Sequence, residues 1–309
     1  MSINVTTSAN GNALNELLTP LVLGATTIER GLMRMIPSQM NSVAIGKFNT
    51  ALDKLEAPVE TPITPNDSMT KGEVIITTGN QMWYDTFNPL RDFEDDWVHF
   101  WAQGRLTDAQ ANAKIQAAIL KTVIESVQNN VDKLLWSGDT ASLDIWLQRM
   151  DGFIKLIEAA PVNVVLAAGA ITSANIIDIM EAAIAATPDE VLEMQSPTFI
   201  LSHRDKQIYF SALRDATISK GVNIMENGVP TFGGIPIVSC GIPKDHIVLT
   251  NTGTGSDSNL AGATWMDADM KGVKIDRLQA NSELWFAKVL FKLGVNIMFP
   301  EQITYYKPV

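Results

Sequence analysis

Few side chains in this sequence have the types and spacing that chemistry needs. His203-Arg204-Asp205 has the order of a kinase catalytic loop, but the Asn required five residues after the Asp is replaced by Phe210, and no glycine-rich loop with a following Val-Ala-Ile-Lys strand accompanies it. The same residues read as a helix start, with Ser202 as the cap and Asp205 near the positive end of the dipole. Gly253-Thr254-Gly255 lacks the third Gly and the helix of a dinucleotide site, and no G-x-x-x-x-G-K-S/T phosphate loop occurs. His99, His203 and His246 are scattered, and the single cysteine, Cys240, has no partner at metal-ligand spacing. Hard cations use carboxylates such as those of Asp92, Glu94, Asp95 and Asp96, or of Asp267 and Asp269. A run of like charges is more often a solvated face or a helix N-terminus. Cys240, between Ser239 and Gly241 at a strand end, would need a base brought near it to act as a nucleophile, and a small buried side chain is the simpler reading. There is no G-x-S-x-G elbow. No catalytic, cofactor-binding or metal-binding residue is assigned on these grounds.

The elements that would position such residues are easier to read. Thr107 and Gln110 have capping-box spacing, Ser137-Gly138 supplies a stop, and Ile115, Ile119, Val123, Val127, Val131 and Leu134 recur every three or four residues between them. This predicts an amphipathic helix over about 108–136, roughly 42 Å long at ~1.5 Å per residue. From Trp285 to Phe299 every odd position is apolar, which predicts a strand of about 15 residues. Two such long elements imply an elongated subunit with the helix laid along a sheet.

Between them the chain alternates α and β. Thr172 or Ser173 is expected to open a helix through Ile184, and Thr187-Pro188-Asp189-Glu190 has the form of another capping box. Thr198–Leu201 reads as a buried strand, Ser202 as the cap of a helix to about Leu213, and Ile235–Ser239 and Ile247–Thr250 as short strands. Asn227-Gly228 and Gly233-Gly234 mark turns, and 251–259 reads as a flexible loop. The stretch from Gly138 to Asp151 is a lower-complexity bridge. Asn88–Arg105, with Trp97, Phe100 and Trp101, reads as a short helix feeding the long one. Nearer the start, Ser42–Asn49 and Glu73–Thr78 read as strands flanking Thr50–Gly72, which carries Pro58, Pro62 and Pro65 and no aromatic residue. A connection of about 20 residues without its own structure is uncommon in a compact domain and is often functional. It is expected to be a protruding β-arm that reaches outside its own subunit.

The 309 residues provide ample core, with 46% hydrophobic and 18% charged side chains. A net charge of -11 excludes the basic footprint of a nucleic-acid reader. One cysteine and no secretory leader imply a reducing cytosol, and no apolar run is long enough to span a membrane.

The order of these segments resembles the tailed-bacteriophage major capsid protein, the Hong Kong ninety-seven type fold shared with encapsulins. The likeness is carried by the N-terminal arm, the loop within 43–78, LLWSGD at Leu134–Asp139 and DGFIKLI at Asp151–Ile157. It continues through Ser196–Asp215, Phe232–Asn251 and the final FPEQITYY at Phe299–Tyr306. The resemblance implies an α+β phage major capsid fold. Residues 1–40 would be an N-terminal arm and 41–79 an extended β-hairpin loop. Residues 80–150 would form a peripheral domain, with the long helix as a spine on an elongated antiparallel sheet. Residues 151–280 would form a compact mixed axial domain, and 281–309 would return to the peripheral domain. It further implies self-assembly of pentamers and hexamers into an icosahedral head shell enclosing double-stranded DNA. Partners would be scaffolding, portal and decoration proteins, with packaged DNA touched only weakly. The location would be the virion, after synthesis in the bacterial host cytoplasm. Some members join subunits by a Lys–Asn isopeptide bond; Lys47, Lys54 and Lys71 lie in or beside the loop, but no partner Asn or catalytic acid is identified. Two other readings stand beside this one: an encapsulin-like compartment, and a cytosolic α/β enzyme with its site in the 151–280 loops around Asp267, Asp269 or Cys240.

Overall fold

The computed structural model describes residues 25–37, 39, 41–49, 70–88, 113–165, 169–193, 197–215, 225–226, 229–265, 273–279 and 284–308. A short helix, α1 (Thr26–Glu29), leads into strand β1 (Arg34–Ile36), a hairpin of β2 (Ser42–Asn49) and β3 (Thr70–Thr77), and β4 (Gly79–Phe87). The long helix, α2, is described over Ala113–Ser137, so its capping box at Thr107 and the segment 89–112, with the acidic run and the expected feeder helix, lie outside the described residues. The predicted stripe is the buried one: Val123, Val127, Val131 and Leu134 are in the core, whereas Lys121, Glu125 and Lys133 are exposed. Gly138 ends the helix for a steric reason, because a Cβ there would lie 2.5 Å from the Met150 carbonyl oxygen. Gly152 faces it, donating its N–H to the Gly138 carbonyl at 2.8 Å, and a Cβ on Gly152 would meet Gly138 N at 2.7 Å. Two glycines therefore clamp the segment between them into a closed loop.

After α3 (Phe153–Ala159) come β5 (Asn163–Val164), α4 (Ile176–Ala186), α5 (Asp189–Leu192), β6 (Pro197–Ser202) and α6 (His203–Asp215). Strands β7 (Met225–Glu226), β8 (Val229–Phe232), β9 (Ile235–Cys240), β10 (Ile247–Asn251), β11 (Leu260–Trp265), β12 (Val273–Arg277), β13 (Trp285–Ile297) and β14 (Thr304–Tyr306) follow. They make two main sheets. One is five-stranded and centred on β13, the expected long strand. Residues 285–293 of β13 pair with β4, while 285–289 also pair with β12 and 292–297 with β11, all antiparallel. Because β4 overlaps both partners along β13, β12 and β11 share its opposite edge. β1 joins β11 in parallel. Ala287, Val289, Phe291, Leu293, Val295 and Ile297, the odd face of β13, form one core with Val123, Val127, Val131 and Leu135 of α2. The helix does lie along the long sheet.

The second sheet is seven-stranded and mixed, in the order β5-β14-β10-β6-β9-β8-β7, with α4 and α6 over a separate core of Ile176, Met180, Phe199, Tyr209 and Leu249. A division at 280/281 does not follow these sheets. β11 and β12 already belong to the β13 sheet, and the last strand, β14, crosses back to pair with β10.

Local differences from the sequence expectations have local causes. Thr172 and Ser173 do not cap α4, which starts at Ile176 with Asn175 as its N-cap; the Asn175 carboxamide oxygen accepts from Thr172 N at 2.8 Å. Thr187 does not close a capping box with Glu190. Its hydroxyl is drawn to the Ala183 carbonyl at 2.7 Å and to Thr304 Oγ1 at 2.8 Å, both in the core. The 251–259 loop is not free: Asn251 Nδ2 donates to Asp257 O, and buried Asn259 bridges Thr250 Oγ1 and both the carbonyl and the amide of Phe299. Ser202 is the helix cap as read, accepting from Asp205 N at 3.0 Å. Gly233 and Gly234, both at positive φ, make the two-residue turn between β8 and β9.

Candidate assembly surfaces

Among the described residues, those singled out for chemistry form no metal-holding group. Cys240 is 1% exposed, and burial pushes its thiol up to about 12, so it is a packed side chain and no nucleophile. Asp205 is wholly buried; its carboxylate accepts from Ser202 Oγ and the Asp245 amide, and burial raises its pKa despite those bonds. His203 lies exposed beside it at the start of α6. His246 belongs to another group, with Nδ1 2.8 Å from the Tyr305 hydroxyl, which in turn donates to Glu158. Gly253-Thr254-Gly255 is a surface turn, with Thr254 close to Gly31. Among the described residues no three His, Cys, Asp or Glu side chains are grouped to hold a metal, and no helix is long and apolar enough to cross a membrane. His99, the acidic run 92–96, Asp267, Asp269 and Lys54 lie outside the described residues.

The hairpin has its own physics. Its register pairs Val43 with Ile76 and Ile45 with Val74, so these four side chains share one face. They pack on Ala261, Ala263, Met298 and Phe299 of the body. Gly294 of β13 permits this close approach, since a Cβ there would lie 2.2 Å from Thr77 O. Asn296 Nδ2 donates to Ile75 O at 2.8 Å, and Lys47 Nζ donates to Met298 O at 3.3 Å while lying over the Phe299 ring. β2 has the bounds read for it from the sequence, and β3 begins three residues before the expected Glu73 and ends one before the expected Thr78. The base of the hairpin is thus fixed to its own subunit; residues 50–69, which were expected to reach beyond it, lie outside the described residues.

A second anchor was not legible in the sequence. Asp132, on α2 and 5% exposed, accepts from both the amide and the hydroxyl of Thr27, and the Trp136 indole N–H donates back to that hydroxyl at 2.8 Å. Arg30 Nη1 reaches Ser239 in the other sheet. Together these tie α1, the long helix and β9 into one unit.

The long helix on a long sheet, with the hairpin docked beside it, is a distinctive arrangement. It also has clear counterparts. The capsid of an empty GTA particle superposes with a TM-score of 0.54 at 13% identity, covering 92% of this chain and 96% of that one. A chain of the satellite phage P4 procapsid with its size determination (Sid) protein gives 0.57 at 11% identity, over 99% and 93% of the two chains. The capsid of Myoviridae phage XM1 gives 0.56 at 10% identity, over 92% of each. The chain has the phage capsid fold. No protein-family model and no curated protein matches the sequence.

Proposed function

We propose that this protein is the shell-forming major capsid protein of a tailed bacteriophage, of the Hong Kong ninety-seven type. Its activity is assembly with copies of itself into pentamers and hexamers of an icosahedral head around double-stranded DNA. The observation that carries this reading is the likeness to capsid chains over 92–99% of the sequence. In this reading the β13 sheet with α2 is the peripheral domain, the seven-stranded sheet with α4 and α6 is the axial domain, and the hairpin tip lies over a neighbouring subunit. The net charge of -11 fits a wall that touches packaged DNA only weakly. Scaffolding, portal and decoration proteins are its proposed partners, the virion its location, and the host cytoplasm its place of synthesis. The role is structural, in keeping with the inert setting of Cys240. Heterologous contacts close into rings, which is what capsomers require.

The test is size-exclusion chromatography and electron microscopy of the purified full chain. Capsomers or closed shells are expected; a small discrete oligomer with neither would overturn the reading. Neighbouring genes for a portal and a large terminase separate a phage head from an encapsulin-like compartment.

A further inference from the structure

The chain carries 34 acidic against 23 basic side chains, so a group of bases with no carboxylate paired to it runs against the average. One such group lies where α1, β9 and α6 meet. Arg30, the C-cap of α1, donates Nη1 to Ser239 Oγ at 3.0 Å and also to the Ser239 carbonyl. β9 runs parallel to β6, with Leu201 opposite Ser239 and Ser202 opposite Cys240, and α6 starts at the next residue, His203. The Arg30 guanidinium therefore stands at the β6–α6 junction. His203 and Lys206, three residues apart, share one face of the first turn of α6.

The neighbouring acids are committed elsewhere. Asp205, on the same turn, is wholly buried and accepts from Ser202 Oγ and the Asp245 amide. Asp132 is buried and accepts from the amide and hydroxyl of Thr27. Glu29, next to Arg30 in sequence, is exposed. Among the described residues neither Arg30, His203 nor Lys206 forms an ion pair. The three bases feel one another instead. Burial first, and then the Arg30 charge, lowers the Lys206 ammonium below its ordinary value. Burial and Arg30 likewise lower the His203 imidazole, Asp132 acting in the opposite sense and Lys206 adding to the fall. Partly buried like charges held together cost stability unless an anion sits among them.

We propose that Arg30, His203 and Lys206 form a binding site for a dianionic phosphate group, either the free ion or the monoester of a small molecule. The Ser239 bonds orient the guanidinium, whose remaining donors suit two oxygens of one oxyanion, and Lys206 adds a point charge. A carboxylate brings one charge and two oxygens; a phosphate monoester brings about -1.5 to -2 and three acceptor oxygens, which matches three bases better. The backbone of α6 is not the source of the site, since the Asp205 amide is already taken by Ser202 at 3.0 Å. The site goes beyond the shell reading and does not depend on it.

The test is thermal melting of the purified full chain, as subunits or as shells, in inorganic phosphate against chloride of matched ionic strength. At a phosphate concentration about a hundredfold above its Kd, the melting temperature should rise by roughly 5–11 °C. Lys206→Gln should remove that rise, and Lys206→Arg should retain it. In chloride Lys206→Gln should melt no lower than the unaltered chain, because it relieves repulsion; this separates a lost ligand from a damaged fold. A nucleoside monophosphate that gives the same rise as phosphate at equal concentration assigns the site to the ion itself, and a larger rise assigns it to a monoester. An equal rise in chloride or in acetate, or a full rise in Lys206→Gln, would overturn the site and leave the shell reading intact. Absence of capsomers and shells with the phosphate effect present would overturn the shell reading alone.

Discussion

Replacing Thr27 with Val tests how the N-terminal segment is held on the long helix. Thr27 is fully buried, and its hydroxyl donates to Asp132 and accepts from the Trp136 indole, itself fully buried. Val has the same shape, so packing is kept and the hydroxyl's two bonds are lost. A hydrogen bond to a charged group contributes about 1.5–3 kcal/mol, and a buried N–H left unpaired costs about 1–3 kcal/mol. Asp132 keeps the Thr27 amide at 2.9 Å and is not orphaned, so the total is about 2.5–6 kcal/mol. Thr27→Ser keeps both bonds and loses one methyl, about 1 kcal/mol. The difference, about 1.5–5 kcal/mol, corresponds to a melting temperature roughly 3–20 °C lower for Val than for Ser. The assay is thermal unfolding of unassembled subunits, followed by circular dichroism and by Trp fluorescence. Equal stability of the two variants would refute the account of Asp132 and Trp136 as a coupled anchor.

Four further outcomes are expected. Gly294→Val should prevent the hairpin from docking, because its Cβ meets Thr77 O at 2.2 Å, and should give insoluble protein, whereas Gly255→Ala, with nothing within 4 Å of its Cβ, should be neutral in expression and melting. Deleting residues 52–69 should leave a folded subunit that makes no stable shells; normal particles by electron microscopy would rule out a reaching arm. Val123→Asp puts an unpaired charge at a site 4% exposed in the helix–sheet core and should abolish folding, read as loss of soluble protein. His246 is held below the ordinary 6.5 by burial, partly offset by Glu158 and Asp245. The unfolded chain therefore takes up a proton that the folded one resists, so this contribution is complete above about pH 6.5 and is lost as pH falls below it. Urea midpoints between pH 5 and 8 should decline less steeply on acidification for His246→Gln; an unchanged slope would exclude His246 as the source.

The sequence by itself determined the elements whose signal is local and periodic. The helix stripe from Val123 to Leu134 and the alternation from Trp285 to Ile297 each bury one face, and a repeated spacing states which. Ser202 capping α6 and the glycine turn at 233–234 were legible for the same reason, since their partners lie within a few residues. Thr187 and the Thr172/Ser173 helix start were misread where local chemistry competed: Thr187 had a core partner in Thr304, more than a hundred residues away in sequence, and the helix takes Asn175 as its N-cap instead. Tertiary structure alone decided the rest. Asp132 becomes an anchor only because Thr27 arrives from 105 residues earlier. β14 pairs with β10 while β13, just before it, pairs with β4, a crossing that no periodicity encodes. Gly138 and Gly152 carry no pattern that distinguishes them from turn residues until their backbones meet. Only then does the stretch between them stop being a bridge and become a closed loop, with Leu143 and Trp146 exposed on it.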